Sequence, residues 1–419
     1  MRQGELGTVR ALFLKTVAFL LALLLIAGCA VNPVTGKREL RIVSISEEEE
    51  VKLGSRSFGP IVQSMGGFYR DPELESYVRS VGERLARVSH RPNLKYTFKI
   101  LNSSVVNAFA LPGGFIAVNR GLLVAISSEA ELAAVLGHEI GHVTARHAVA
   151  AYQRALLMNV TLLGLAMAGG AQSKAVMDLS RIALGLIENG YSREQERESD
   201  YLGVDYMVKA GYDPQGAIDL QEFFYEKFEK GKDPLWIEGL FRTHPFSRER
   251  LENIRKYVRE RYARALTSGK FVLNEGVYLD RTARLRRVQK AYDVYDEGEK
   301  LLREKKKAAA LEKFLDAIEM QPDQAPFYGK AGLVYLLDDD FRTAGRYLRE
   351  AVRIDPEYAE GRLYLGIDLY ELDDLRGAVT HLEKSMELMP TKLAARYLAR
   401  AYRRLGDLEK ARKYEKMAK

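Results

Sequence analysis

His138-Glu139-Ile140-Gly141-His142 sets two imidazoles four residues apart with a carboxylate between them. On an α-helix that spacing is about one turn, ~6 Å along one face, which lets both rings hold one metal ion. Glu139 lies ~100° further round from His138, where it can reach a water on that ion without taking a coordination position. Zinc that activates water needs a third protein ligand and an open fourth position. The chain has one cysteine, so cysteine zinc sites and intramolecular disulfides are excluded, and the third ligand must be a histidine or a carboxylate. His147 falls ~140° round a continuous helix from His142, so it is expected to miss the ion and to serve packing or face solvent.

The remaining candidates are His244 and the acidic stretch Tyr191-Ser192-Arg193-Glu194-Gln195-Glu196-Arg197-Glu198-Ser199-Asp200. Glu196 and Asp200 share one helical face at i and i+4, so one carboxylate can ligate while the other braces a ligand histidine. Spacing alone does not choose among Glu194, Glu196 and Glu198.

These residues need elements to hold them. Ser128 with Glu131 reads as a capping box, and Leu132, Val135, Leu136 and Ile140 continue at helical spacing, predicting a helix to about Gln153. Upstream, Ser46 and Glu47 to Glu50 open a helical pattern that runs to about Val88. From Leu94 the period becomes two, with Tyr96, Phe98 and Ile100 on one face. A second run, Val105 to Leu111, stops at Pro112-Gly113-Gly114, so a small sheet is expected. Residues 155–173 carry no charge, which fits a membrane-associated helix or a buried hairpin, and Asn159, Thr161 and Gly169-Gly170 favour burial.

The last third repeats with a period of 34: Pro322, Pro356 and Pro390; Gly298, Gly332 and Gly366; Ala310, Ala344 and Ala378. Small residues at helix contacts and a proline at each closing turn are the tetratricopeptide (TPR) signature, here about four repeats with the last, around Ala399, Tyr402 and Ala411, as a cap. Arrays of this kind commonly offer a concave protein-binding surface.

The N-terminal end reads as an export signal. Arg2, Arg10 and Lys15 precede an uncharged run from Thr16 to Gly28, short for a bilayer span of ~20 residues but suited to a signal peptide. Ile26-Ala27-Gly28-Cys29 resembles a bacterial lipobox, with Cys29 as the lipidation site, and Ala30 after it favours outer-membrane sorting and a periplasmic mature chain. The net charge of +7 is spread over 64 basic and 57 acidic residues without a long basic tract, so nucleic acid is not an expected partner.

H-E-x-x-H followed by E-x-x-x-D resembles the gluzincin zinc metallopeptidases that include the HtpX membrane-stress protease and the CAAX prenyl protease. The resemblance spans about residues 30–265. It implies one zinc per chain held by His138, His142 and Glu196, with Glu139 as general base and Asp200 orienting a ligand histidine. Asn32-Pro33-Val34-Thr35-Gly36 and Asn107-Ala108-Phe109-Ala110-Leu111-Pro112-Gly113-Gly114 also resemble exported members, and Asn107 to Leu111 is expected to be the edge strand beside which substrate lies. With the TPR array added, the chain is most similar to a BepA-like subgroup, periplasmic protease and chaperone of outer-membrane β-barrel assembly. It departs from that subgroup in carrying a lipobox. Thr243-His244-Pro245 matches the subgroup's histidine on a loop over the zinc, a candidate fourth ligand that holds the enzyme latent.

The expected fold is α+β and mostly helical, a zincin-type metalloprotease domain with a small sheet followed by an all-α TPR solenoid. The expected division is 1–28 signal peptide, 29–45 lipidated tether, 46–265 peptidase, 266–290 linker and 291–419 TPR repeats. The implied function is a zinc metalloendopeptidase anchored to the outer membrane that degrades misfolded or stalled envelope proteins, its repeats docking clients or assembly machinery. The rival expectation is a TPR chaperone or adaptor whose zinc site does not turn over.

Overall fold

The computed structural model describes residues 29–32, 34–40, 45–155, 185, 190–229, 244 and 247–419. The expected signal peptide, the Cys29 side chain, residues 156–173 of the uncharged run, and Thr243 and Pro245 beside His244 lie outside the described residues. Among the described residues, no helix is long and apolar enough to cross a membrane.

The stretch expected as an extended tether begins as a hairpin, β1 (Cys29–Val31) antiparallel to β2 (Arg38–Leu40). Asn32 sits at its turn, 2% exposed, and donates from Nδ2 to the Ala145 carbonyl at 2.8 Å. Its Oδ1 accepts from the backbone of Val34 and Thr35, the local pattern that makes asparagine a turn residue. The hairpin is thereby docked on the peptidase unit.

Helix α1 (Glu47–Ser64) starts at a complete capping box between Ser46 and Glu49, and α2 (Pro72–Ala86) starts at the Asp71 cap with Pro72 in its first turn. Strands β3 (Thr97–Leu101), β4 (Ala108–Leu111) and β5 (Phe115–Asn119) form a sheet in the order β3-β5-β4, with β3 parallel and β4 antiparallel to β5. Asn107 precedes β4, its carbonyl accepting from Asn119 N at 2.9 Å. The short helix α3 (Arg120–Ala125) leads into α4 (Glu129–Thr144).

Every α4 residue except His138 is buried, because apolar and small side chains recur all round the helix and elements cover it on all sides. The Ser128 hydroxyl accepts from Glu131 N at 3.1 Å, while the Glu131 carboxylate turns back to Ser127, so the capping box is half made. The predicted run to Gln153 is interrupted after Thr144. Arg146 adopts φ 57, and the chain is helical again over residues 147–155. A non-glycine residue there costs roughly 1 kcal/mol or more. It is held by its guanidinium, which bonds to the Ile45 carbonyl and pairs with buried Glu50.

Helices α5 (Arg193–Lys209), α6 (Gln215–Glu229) and α7 (Arg248–Thr267) complete the peptidase unit. α5 crosses α4 at glycines. A Cβ on Gly203 would lie 2.9 Å from His138 N, and one on Gly141 would lie 3.0 Å from Ser199 Cα. Only hydrogen side chains allow backbones this close, and that closeness sets the reach of every side chain between the two helices.

Residues 266–290, expected as a linker, hold α8 (Glu275–Arg281) and the start of α9 (Ala283–Arg303). Tyr278, Leu285, Val288, Ala291 and Tyr292 are buried, so this segment packs the two units together. The Tyr278 hydroxyl donates to the Leu123 carbonyl at 2.6 Å, and Arg286 donates to the carbonyls of Val124 and Ile126. Four helix pairs follow in the repeat register: α9 with α10 (Lys307–Met320), α11 (Ala325–Leu337) with α12 (Phe341–Ile354), α13 (Ala359–Glu371) with α14 (Leu375–Leu388), and α15 (Lys392–Arg404) with α16 (Leu408–Ala418). The described residues are mostly helical, with the predicted small sheet of three strands and the unpredicted N-terminal hairpin as the strands present.

The array returns to touch α1. Gln63 Nε2 donates to the Glu357 carbonyl at 2.9 Å, Ala359 N donates to Gln63 Oε1, and Arg70 bridges Asp355 and Glu357. Between this contact and α9 lies a cavity of about 430 Å³, lined from both the peptidase unit and the array.

Candidate metal centre

α4 presents His138 and His142 toward α5, and α5 presents Glu196 back across the glycine crossing. His244 joins them from the segment before α7, and one donor atom from each of the four lies within 4.8 Å of the others. His138 Nε2 is 3.0 Å from His142 Nε2 and 3.4 Å from Glu196 Oε2, and His142 Nε2 is 3.4 Å from Glu196 Oε1. His244 Nδ1 is 3.2 Å from His138 Nε2 and 3.0 Å from Glu196 Oε1. Bonds of 2.0–2.1 Å to a tetrahedral zinc put donors about 3.3–3.4 Å apart, so these separations fit such an ion.

The other groups are arranged for the same task. Glu139 is 2% exposed, and its Oε2 has no hydrogen-bond partner among the described residues. Its Oε1 lies 3.5 Å from His244 Nε2. Burial pushes the Glu139 carboxyl up, and His244 and His138 offset part of that rise. A buried carboxylate oxygen with no protein donor is costly, and a water or cation beside it removes the cost.

Asp200 Oδ1 faces His138 Nδ1 at 2.9 Å. The same carboxylate accepts from Arg250 Nε at 2.9 Å and Nη2 at 2.7 Å, and Arg250 Nη1 lies 3.0 Å from Glu196 Oε2. Burial alone would raise Asp200 and Glu196; Arg250 with His138 holds the first below the usual carboxylate range, and His244 and Arg250 hold the second well below it. Burial opposes charge on His138, yet hydrogen bonds to Asp200 and Glu196 lift it to about 10. Burial leaves His142 well below the ordinary histidine range. Buried carboxylates on this scale make a pocket suited to a cation.

The structure thus brings together His138, Glu139, His142, Glu196, Asp200 and His244, all singled out in the sequence. Glu194 stays on the surface, paired with Lys37. His147 stays out of the donor cluster and packs in the interior, the first of its two expected roles. Beyond the helix break at Arg146 its ring is fully buried, with Nδ1 2.9 Å from His142 Nδ1. Arg250 and Tyr191 carried no sequence signal as site residues. Arg250 comes from α7, fifty residues beyond its partner, and Tyr191 stacks on His142 with ring centroids 4.0 Å apart.

β4 lies on the sheet edge against α4, and Ala110 and Leu111 line a small pocket with His142 and Tyr191. An apolar cavity of about 40 Å³ is walled by Val204, Met207, Leu220 and Phe224 beside His138 and Glu139.

Comparison with known proteins agrees with this geometry. The profile of peptidase family M48 matches residues 72–258, and a tetratricopeptide-repeat profile matches residues 325–358. The mitochondrial metalloendopeptidase OMA1 of Schizosaccharomyces pombe is 30% identical over 250 residues, covering 56% of this chain and 68% of that protein. The putative beta-barrel assembly-enhancing protease of Vibrio cholerae is 30% identical over 197 residues, 45% of this chain and 40% of the relative. The beta-barrel assembly-enhancing protease of Escherichia coli K12 is 32% identical over 196 residues, 44% of this chain and 39% of the relative. The chain therefore spans about two fifths of the length of these two bacterial relatives.

Proposed function

The chain belongs to peptidase family M48, and from that premise we propose that it is a zinc metalloendopeptidase of outer-membrane protein quality control, cleaving misfolded or stalled envelope proteins. The observation that carries this reading is the convergence of His138, His142 and Glu196 with Glu139 and its partnerless oxygen beside them.

In this proposal His138, His142 and Glu196 would hold a zinc ion, which would supply Lewis acidity to a water and to the substrate carbonyl. Glu139 takes the proton from the attacking water and passes it to the leaving amine nitrogen. Asp200 fixes His138 by accepting from Nδ1, leaving Nε2 for the metal. His244, with a donor atom in the same cluster, would hold a latent state by taking the place of water at the zinc and would have to withdraw before substrate enters. Substrate lies extended along β4, from Asn107 through Ala108, Phe109 and Ala110 to Leu111, where backbone pairing accepts many sequences. The apolar cavity beside Glu139 favours side chains that a folded protein would bury.

We assign residues 1–28 to a lipoprotein signal peptide and Cys29 to lipid attachment, with the mature chain anchored to the outer membrane and facing the periplasm. Two relatives are named as beta-barrel assembly-enhancing proteases, which supports docking of clients or assembly machinery by the TPR array. The competing reading is a TPR adaptor; it draws on His244 among the donors, since a fourth protein ligand closes a zinc site to water.

Casein cleavage by the purified chain separates the two. Zinc-dependent cleavage that falls about 10²- to 10⁴-fold in Glu139→Gln, with zinc still bound, is expected of the protease. Zinc-bound protein that cleaves nothing, both as wild type and as His244→Ala, would favour the adaptor.

A further inference from the structure

We infer that the N-terminal hairpin is part of the metal centre, through a relay from Lys37 to Glu198 to His147 that fixes the tautomer and orientation of His142. The inference rests on the zinc site proposed above. His142 turns Nε2 toward His138 and Glu196, so the proton of its neutral ring belongs on Nδ1. That N–H needs an acceptor, and among the described residues His147 Nδ1 stands 2.9 Å from it. His147 can accept there only if its own proton is on Nε2, which faces Glu198 Oε2 at 3.0 Å. The Ser199 hydroxyl, 3.4 Å from His147 Nδ1, approaches the same lone pair as a second donor. Glu198 is held in turn by Lys37 Nζ, 2.8 Å from Oε1.

The two ligand histidines are thus braced by the same logic. His138 meets a carboxylate directly, and a cation, Arg250, grips that carboxylate. His142 meets its carboxylate through an interposed imidazole, and a cation on the hairpin grips that one. Ligand histidines whose outer nitrogen is oriented by a carboxylate bind metal more tightly, and loss of such a partner costs about 10- to 100-fold in affinity. Asn32 adds a second tie, since its bond to the Ala145 carbonyl holds the hairpin at the helix break that precedes His147. Lys37, Glu198 and His147 are positioning residues, and the hairpin that begins at Cys29 carries one of them to within three side chains of the ion.

The test is the zinc affinity of the purified full-length chain, by competition with a chromophoric chelator, together with the visible spectrum of its cobalt form. His147→Phe and Glu198→Ala are expected to bind zinc about 10- to 100-fold more weakly. Lys37→Met is expected to weaken binding by a smaller factor, and Lys37→Arg to restore it. Each weakened variant should show an altered cobalt spectrum, which mere loss of packing would not give when thermal unfolding of the apo chain is unchanged. Glu194→Gln removes the other carboxylate that Lys37 touches, one that makes no contact with His147, and should leave affinity intact. Wild-type affinity and spectrum in both His147→Phe and Glu198→Ala would overturn the relay while leaving the protease reading in place. Equal weakening by Glu194→Gln and Lys37→Met would overturn the part assigned to Glu198. Failure of the wild-type chain to bind zinc would overturn the relay and the proposed function together.

Discussion

His138 Nδ1 lies 2.9 Å from Asp200 Oδ1, so the imidazole is committed to present Nε2 to the other donors. Asp200→Ala removes that commitment and takes one carboxylate partner from Arg250. Zinc affinity is expected to fall about 10- to 100-fold. Chelator competition checks it, and an unchanged affinity would deny Asp200 an orienting role.

His244 stands among the ligand atoms, 3.0 Å from Glu196 Oε1. If it closes the fourth position, His244→Ala should raise basal casein cleavage. A site closed nine times in ten would gain about tenfold in competent population. A rate equal to or below wild type, at matched zinc content, would remove the latch.

Gly203 gives α5 its approach to α4, where a Cβ would sit 2.9 Å from His138 N. Gly203→Ala must push the helices apart or strain them, at about 1–3 kcal/mol. Urea unfolding should show that loss, and zinc affinity should fall with it because Glu196 moves away from the histidines. A variant as stable as wild type would mean the crossing is looser than described.

Asp368 lies fully buried in the third helix pair, and neither carboxylate oxygen has a hydrogen-bond partner among the described residues. Burial raises it to about 6, with Arg349 offsetting part of the rise. A carboxyl raised on folding contributes fully below its ordinary pKa of about 4, and that contribution is lost as pH rises through about 6. Asp368→Asn should therefore be more stable than wild type at pH 7.5, with the difference shrinking as pH falls from 6 to 4. Paired thermal melts across that range check it; a constant difference would contradict the assignment.

The sequence by itself determined much of this protein. The two-residue and 3.6-residue periods located the sheet and α4, and the 34-residue period located the helix pairs, because each is a property of neighbours along one strand or helix. His138, Glu139 and His142 were legible for the same reason, since one helical turn fixes their relation. Glu196 needed a family resemblance to be preferred over Glu194 and Glu198, because which face of α5 meets α4 is settled by Gly203 and Ser199 packing on Gly137 and Gly141.

The tertiary structure alone decided the rest. His147 looked misdirected on a continuous helix, and only the left-handed Arg146, held by Glu50 and Ile45 from α1 and its approach, turns it toward His142. Arg250 reaches Asp200 from a helix fifty residues away, and the hairpin, expected to be a lipidated tether, is tied down by Asn32 and Lys37. Such contacts join segments whose separation along the chain carries no periodic signal, so they exist only once hydrophobic burial has brought the helices together.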